Sequence, residues 1–167
     1  MHDELVVDLD RHLYGAREAP IRVVEYGDFQ CPYCRAAAPV LRELVDASEG
    51  SVALVFRHFP LFTTHEYALT AALAAEASGD RFWQMHDLLF SNQDRLTEDD
   101  LAAYGDQIGV GDVVGEPAQI FRGAVEADYR TGVAEGVRGT PTLFIGGARY
   151  PGRVELSAIR AAIASST

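Results

Sequence analysis

The stretch IRVVEYGDFQCPYCRAAAPVL (Ile21–Leu41) joins a β-branched, aromatic run to a Cys-Pro-Tyr-Cys, and Cys31 and Cys34 are the two cysteines of the 167-residue chain. Ile21–Gly27 lies between a proline and a glycine and reads as a buried strand. Pro32 suits the first turn of a helix, where its fixed φ fits and its missing N–H costs nothing, so Cys31 falls at the N-cap. The helix is expected to run to about Ser48, with Val40, Leu41, Leu44 and Val45 on one face and Pro39 removing a backbone bond to Arg35. Cys31 thus stands where a strand ends and a helix begins, the place where open α/β sheets carry their sites.

A thiolate, not a thiol, attacks a disulfide, and an ordinary cysteine is mostly protonated at neutral pH. A helix N-terminus offers about half a positive charge and unpaired N–H groups, both of which favour the anion. Cys34, one turn in, lies on the same side and can close back on Cys31. Cys31 is therefore read as the attacking residue and Cys34 as the resolving one. A zinc site wants about four ligands, and the pair supplies two with no second pair in the chain. A purely structural disulfide with so short a loop would constrain little of the unfolded chain.

Two further features bear on that chemistry. Glu25 sits in the middle of the first apolar strand; beneath the dithiol it could take the proton of Cys34, whereas on the other face it would be an ordinary solvated residue. Both orientations fit the alternation of Val23, Val24 and Tyr26. Pro141, in Gly139-Thr140-Pro141-Thr142, is either a proline at the first position of a strand or the second residue of a cis peptide bond.

The rest of the chain supplies the frame. Met1–Pro20 has no sustained period and reads as an arm. Val52–Phe59 is a second strand, stopped by Pro60. Thr63 with Glu66 forms a capping box that opens a helix. Asp80–Phe90 places Phe82, Met85 and Leu89, and Trp83, His86 and Phe90, at helical spacing, a stripe read as core. Thr97 caps a further helix, Glu116-Pro117 opens another that runs to about Glu135, and Gly146-Gly147 marks a two-residue hairpin before a last helix over Glu155–Ala164. Strand, helix, strand, helical block, hairpin and helix imply a small mixed sheet covered by helices.

Charge narrows the partners. All 14 basic residues are arginine against 25 acidic ones, a net charge of −11. There is no basic stripe for nucleic acid or anionic lipid, and no apolar run nears the ~18 residues of a membrane span. Arg57 and His58 follow a strand pattern and read as structural; without lysine, Arg57 is still the best counter-charge on offer for the dithiol. The first residues lack the basic and apolar regions of a secretory signal, so a cytoplasmic location is expected for the chain as written, and a periplasmic or other extracytoplasmic one if a signal was removed.

Together these segments resemble the DsbA-like thiol-disulfide oxidoreductases of the thioredoxin superfamily. RHLYGAREAPIRVVEYGDFQCPYC (Arg11–Cys34), FRHFPL (Phe56–Leu61), FWQMHDLLFSNQ (Phe82–Gln93) and GVRGTPTLFIGG (Gly136–Gly147) carry the resemblance, which spans Asp10–Ile163; the same branch occurs as a soluble tail on bacterial sodium/proton antiporters. It implies an α/β thioredoxin fold over 21–167 behind an arm at 1–20, with a helical insertion at about 63–135. It implies Cys31 as exposed nucleophile, Cys34 as buried partner, Glu25 as buried acid and Pro141 as a cis-proline facing the dithiol. Thr140 would pair its backbone with an extended substrate, with Pro32 and Tyr33 at the same surface. No cofactor or metal is implied, since a redox-active Cys31–Cys34 disulfide carries the electrons. Partners would be protein thiols or disulfides and an unidentified redox partner. The chain departs from the strongly oxidising members in having Tyr33 where they carry a histidine. A Cys31 pKa between the free thiol and the strongest oxidants is expected, with a potential of roughly −230 to −150 mV. A cytoplasmic disulfide reductase and a redox-sensing domain associated with a membrane transporter are the alternatives.

Overall fold

Strand β2 (Ile21–Gly27) occupies the middle of the sheet because both of its faces are apolar enough to be covered. The computed structural model describes residues 11–166. Within it, β2 runs parallel to β3 (Val52–His58), with Glu25 opposite Phe56, and antiparallel to β4 (Thr142–Ile145), with Glu25 opposite Leu143. Strand β5 (Ala148–Tyr150) folds back on β4 through Gly146 and Gly147. Their φ values of 56° and 88° are those of a tight hairpin turn that glycine adopts without strain. Strand β1 (Leu13–Tyr14) adds antiparallel to β3, so the order is β1-β3-β2-β4-β5; the expected arm thus contributes a two-residue edge strand, and its residues 1–10 lie outside the described residues. This is the thioredoxin fold with a helical insertion that the resemblance implies.

Alternation along the strands assigns the two faces. Val23, Leu54, Leu143 and Ile145 pack under α1 (Pro32–Asp46) and α7 (Leu156–Ser165). Next to them Phe56 joins Phe29, Cys31, Cys34 and the α3 (Phe82–Ser91) residues Phe82, Met85, Leu89 and Phe90. The opposite face carries Tyr26, Phe144 and Phe59 under α6 (Arg122–Ala134). In α1 the buried residues are Cys34, Ala37, Leu41, Leu44 and Val45, one helical stripe that carries the cysteine inward with the core.

The insertion is built on α2 (Ala68–Ala77), an alanine-rich helix buried on most sides, where small side chains let neighbouring helices approach. Thr97 caps α4 (Glu98–Gln107) as expected: its Oγ1 accepts from Asp100 N–H at 3.2 Å, and Asp100 Oδ2 accepts from Thr97 N–H at 3.2 Å. Two expectations fail. No helix starts at Thr63; α2 begins at Ala68 after a turn in which Thr64 and His65 N–H both reach Leu61 O. The Tyr67 N–H, which a helix from Thr63 would need for its first bond, is taken by Gln30 Oε1 at 2.8 Å. The helix expected over 116–135 is two, α5 (Glu116–Gln119) and α6, separated where Phe121 N–H turns back to Ala118 O.

Candidate active site

Cys31 caps α1 with extended backbone, φ −77° and ψ 123°, and no side-chain cap of its own, so its sulfur stays at the open end of the helix. Both cysteines are free thiols, the reduced form of the pair. The Cys34 thiol donates to the Cys31 sulfur. That bond, the Thr140 side chain and the N–H groups of Cys34 and Tyr33 together outweigh burial and bring the Cys31 pKa down to about 5. The Thr140 hydroxyl is buried with no other hydrogen-bond partner, which leaves it free to serve the thiolate. Cys34 moves the other way: burial first, then its bond to Cys31 and the nearby Glu25 and Cys31 charges push its pKa well above an ordinary thiol. One motif thus holds a stabilised thiolate and a thiol that keeps its proton.

The expectation of an exposed Cys31 is corrected, since it is 3% exposed. Its sulfur sits 3.6 Å from the Thr140 carbonyl, under the loop before β4, and packs with Phe29 and Phe90. Pro32 and Tyr33, the latter 74% exposed, are what the motif presents to solvent. The Thr140–Pro141 bond is cis, and the contact of Thr140 with Cys31 puts that loop against the dithiol. Beside Pro32 an open hollow of about 560 Å³ is lined by Gln30, Arg35 and Gln93 among others.

Glu25 faces the dithiol, which settles its two possible orientations. It is 1% exposed and its Oε2 has no hydrogen-bond partner. Burial, with the Cys31 charge adding to it, lifts its pKa to about 8. Its neighbour Gly27 has to be glycine: a Cβ there would lie 2.6 Å from the Phe56 ring and 3.3 Å from Glu25 Oε2.

Arg57 is not the counter-charge of the thiolate. It pairs in register with Tyr26, on the face away from Glu25 and Phe56. There it donates to Arg11 O at 2.8 Å and lies 4.0 Å from Asp128 of α6. His58 belongs to a buried knot. His12 Nε2 and His58 Nε2 each lie 2.8 Å from Glu76 Oε1, and Arg11 pairs with both Glu76 and Asp128. Although burial opposes ionisation, the two histidine bonds hold the Glu76 carboxyl well below its ordinary range. These three are the metal-capable group found among the described residues. Both histidines lie at hydrogen-bond distance from the one carboxylate oxygen, and Arg11 forms an ion pair with the other.

Sequence reading missed the straps on the loop before Cys31. Asp28 Oδ2 accepts from Leu61 N–H at 2.9 Å and lies 2.8 Å from His65 Nδ1, while Asp28 Oδ1 accepts from Gln30 N–H at 2.7 Å. An acidic residue in a turn before a helix is unremarkable by itself, and its partners lie 33 and 37 positions away.

The fold is the thioredoxin fold, and Cys31 and Cys34 stand as a Cys-x-x-Cys pair at the start of its first long helix. The chain belongs to the thioredoxin family: the family model described as Thioredoxin matches residues 8–165. Among solved structures, the thiol-disulfide exchange protein alpha-DsbA2 from Wolbachia pipientis superposes with a TM-score of 0.83 at 19% identity, covering 99% of this chain and 92% of that one. A thioredoxin-like oxidoreductase from Silicibacter pomeroyi gives 0.81 at 29% identity, covering 99% and 97%. Among curated relatives, the Na(+)/H(+) antiporter NhaA 1 of Salinispora arenicola is 45% identical over 166 residues, which are 96% of this chain and 25% of that protein. Its counterpart in Mycolicibacterium vanbaalenii is 36% identical over 155 residues, again 25% of its length. The chain therefore spans about a quarter of these relatives.

Proposed function

We propose that the chain exchanges disulfides with protein thiols through its Cys-Pro-Tyr-Cys pair and works as an oxidant. The carrying observation is the opposite displacement of the two thiols, with Cys31 lowered to about 5 and Cys34 raised. A stabilised Cys31 thiolate favours the reduced pair, so the oxidised pair takes electrons readily. A substrate thiolate attacks the Cys31 sulfur of the disulfide; the new bond is a mixed disulfide, and Cys34 leaves with the electron pair of the broken bond. Glu25 in its protonated form, favoured below about pH 8, can give Cys34 its proton. A second substrate thiolate then attacks the substrate sulfur and expels Cys31 as a thiolate. The substrate loses two electrons and the pair gains them. Tyr33 and Pro32 border the approach, and the Thr140 backbone offers an edge to an extended chain.

Equilibration with glutathione tests this reading, with a potential of roughly −230 to −150 mV expected. A value near −270 mV would shift the assignment to a disulfide reductase. A redox-sensing role beside a transporter has one supporting observation, the antiporter-named relatives. It predicts slow turnover with unfolded protein thiols despite a normal potential.

A further inference from the structure

The loop that carries Cys31 is held from outside the motif. The Asp28 side chain is tied to the 61–65 turn, that of Gln30 to Tyr67, and the backbone oxygens of Phe29 and Cys31 to one side chain beyond α3. That side chain is Gln93, whose Nε2 donates to Phe29 O at 2.8 Å and to Cys31 O at 2.9 Å. Both partners are acceptors only, so the NH₂ end must face them, and both of its hydrogens are used. The Cys31 carbonyl also accepts the first bond of α1, from Arg35 N–H at 3.1 Å. Gln93 therefore grips the peptide unit that fixes ψ of the N-cap cysteine, and a second carbonyl two residues earlier.

We propose that Gln93 is a positioning residue for Cys31: its amide clamps the Phe29 and Cys31 carbonyls and so fixes the N-cap conformation in which the sulfur meets the end of α1. The inference deepens the oxidoreductase reading and rests on it. The N–H groups of Tyr33 and Cys34 and the Thr140 side chain reach the sulfur only in that conformation. Without the clamp, ψ of Cys31 is set by the Arg35 bond alone, and Phe29 O keeps no partner within the loop. The loosened sulfur spends less time at the helix end, and its anion is less favoured. The helical insertion thus tunes the dithiol through one amide, although it contributes no reacting atom.

Gln93→Met keeps the length and removes both donors. The readout is the ultraviolet thiolate absorbance of the reduced protein against pH, together with the equilibrium constant against glutathione. About a tenfold loss is expected in each, a rise of about one pKa unit for Cys31. The control is Asn92→Ala, which removes a bond from Asn92 Nδ2 to Leu88 O in the same connection without touching the loop; it should lower stability and leave both readouts in place. Lower stability of Gln93→Met with unchanged thiolate titration would reduce Gln93 to a structural strut and overturn the proposal. If the Met variant does not fold, Gln93→Asn carries the test, since its shorter amide cannot span both carbonyls, and an unshifted titration there overturns it equally. The titration needs no substrate, so it stays readable even if the protein proves inactive on protein thiols.

Discussion

At the scale of single residues, the site sets two buried acids against each other. Cys31 has its folded-state pKa lowered from 9.0 to about 5, so its contribution to the reduced fold is complete above pH 9 and is lost as pH falls through 5. At pH 7 it amounts to about 2–3 kcal/mol. Glu25 has the opposite sign: raised from 4.5 to about 8, it favours the fold below pH 4.5 and costs about 3 kcal/mol by pH 7. In the reduced protein the slopes of these two groups oppose each other between pH 5 and 7, whereas in the oxidised protein that of Glu25 stands without its counterweight. The oxidised protein has no Cys31 thiolate and should lose stability relative to the reduced protein as pH rises over this range in urea unfolding, as should reduced Cys31→Ser. Parallel curves for the two redox states would refute this. Glu25→Leu removes a buried carboxyl with an unpartnered oxygen, and its advantage over the wild type should grow from pH 5 to 8. The same variant should slow proton exchange at Cys34, and with it mixed-disulfide turnover, by about 10²-fold.

At the scale of elements, short-range signals were legible in the sequence where nothing distant competed for them. The Thr97 cap is local and forms; Thr97→Ala should cost about 1 kcal/mol in chemical denaturation and leave the redox potential unchanged. The Thr63–Glu66 box is just as good a local signal and does not form, because Gln30 takes the Tyr67 N–H from 37 positions away. The same contrast runs through the site. The placement of Cys31 at a helix start and of Cys34 one turn in was legible because Pro32 and the preceding strand are local signals, whereas the cis bond before Pro141 was implied only by the family resemblance. The side of the sheet that Glu25 faces was not legible, since alternation permits both and only the packing of Phe56 and α1 decides. Arg57 reads as structural from its strand pattern, and it is; what was not legible is its pairing with Tyr26, hence its face, which depends on the strand register and rules out the counter-charge role.

At the scale of the molecule, the segment before β2 is locked to three separate elements. Arg11 and His12 meet Glu76 of α2, Asp128 of α6 and, through the shared carboxylate, His58 of β3. Because the Glu76 pKa is lowered in the fold, its contribution is present above the unfolded value of 4.5 and lost in acid. Glu76→Ala should cost about 3–5 kcal/mol near neutrality, flatten the acid limb of the stability curve, and speed amide exchange at Leu13 and Tyr14. Retained protection of β1 would show that strand pairing alone holds the segment. Trp83 sits where these parts converge, and it is the one tryptophan in the chain. Its Nε1 donates to Leu13 O at 3.2 Å, the Arg42 guanidinium lies 5.0 Å over its ring, and it packs against both the cysteine-bearing cluster and the cluster beneath α1 and α7. The protein therefore carries its own optical probe: one indole whose emission registers release of the first strand and opening of either core cluster, with no label attached.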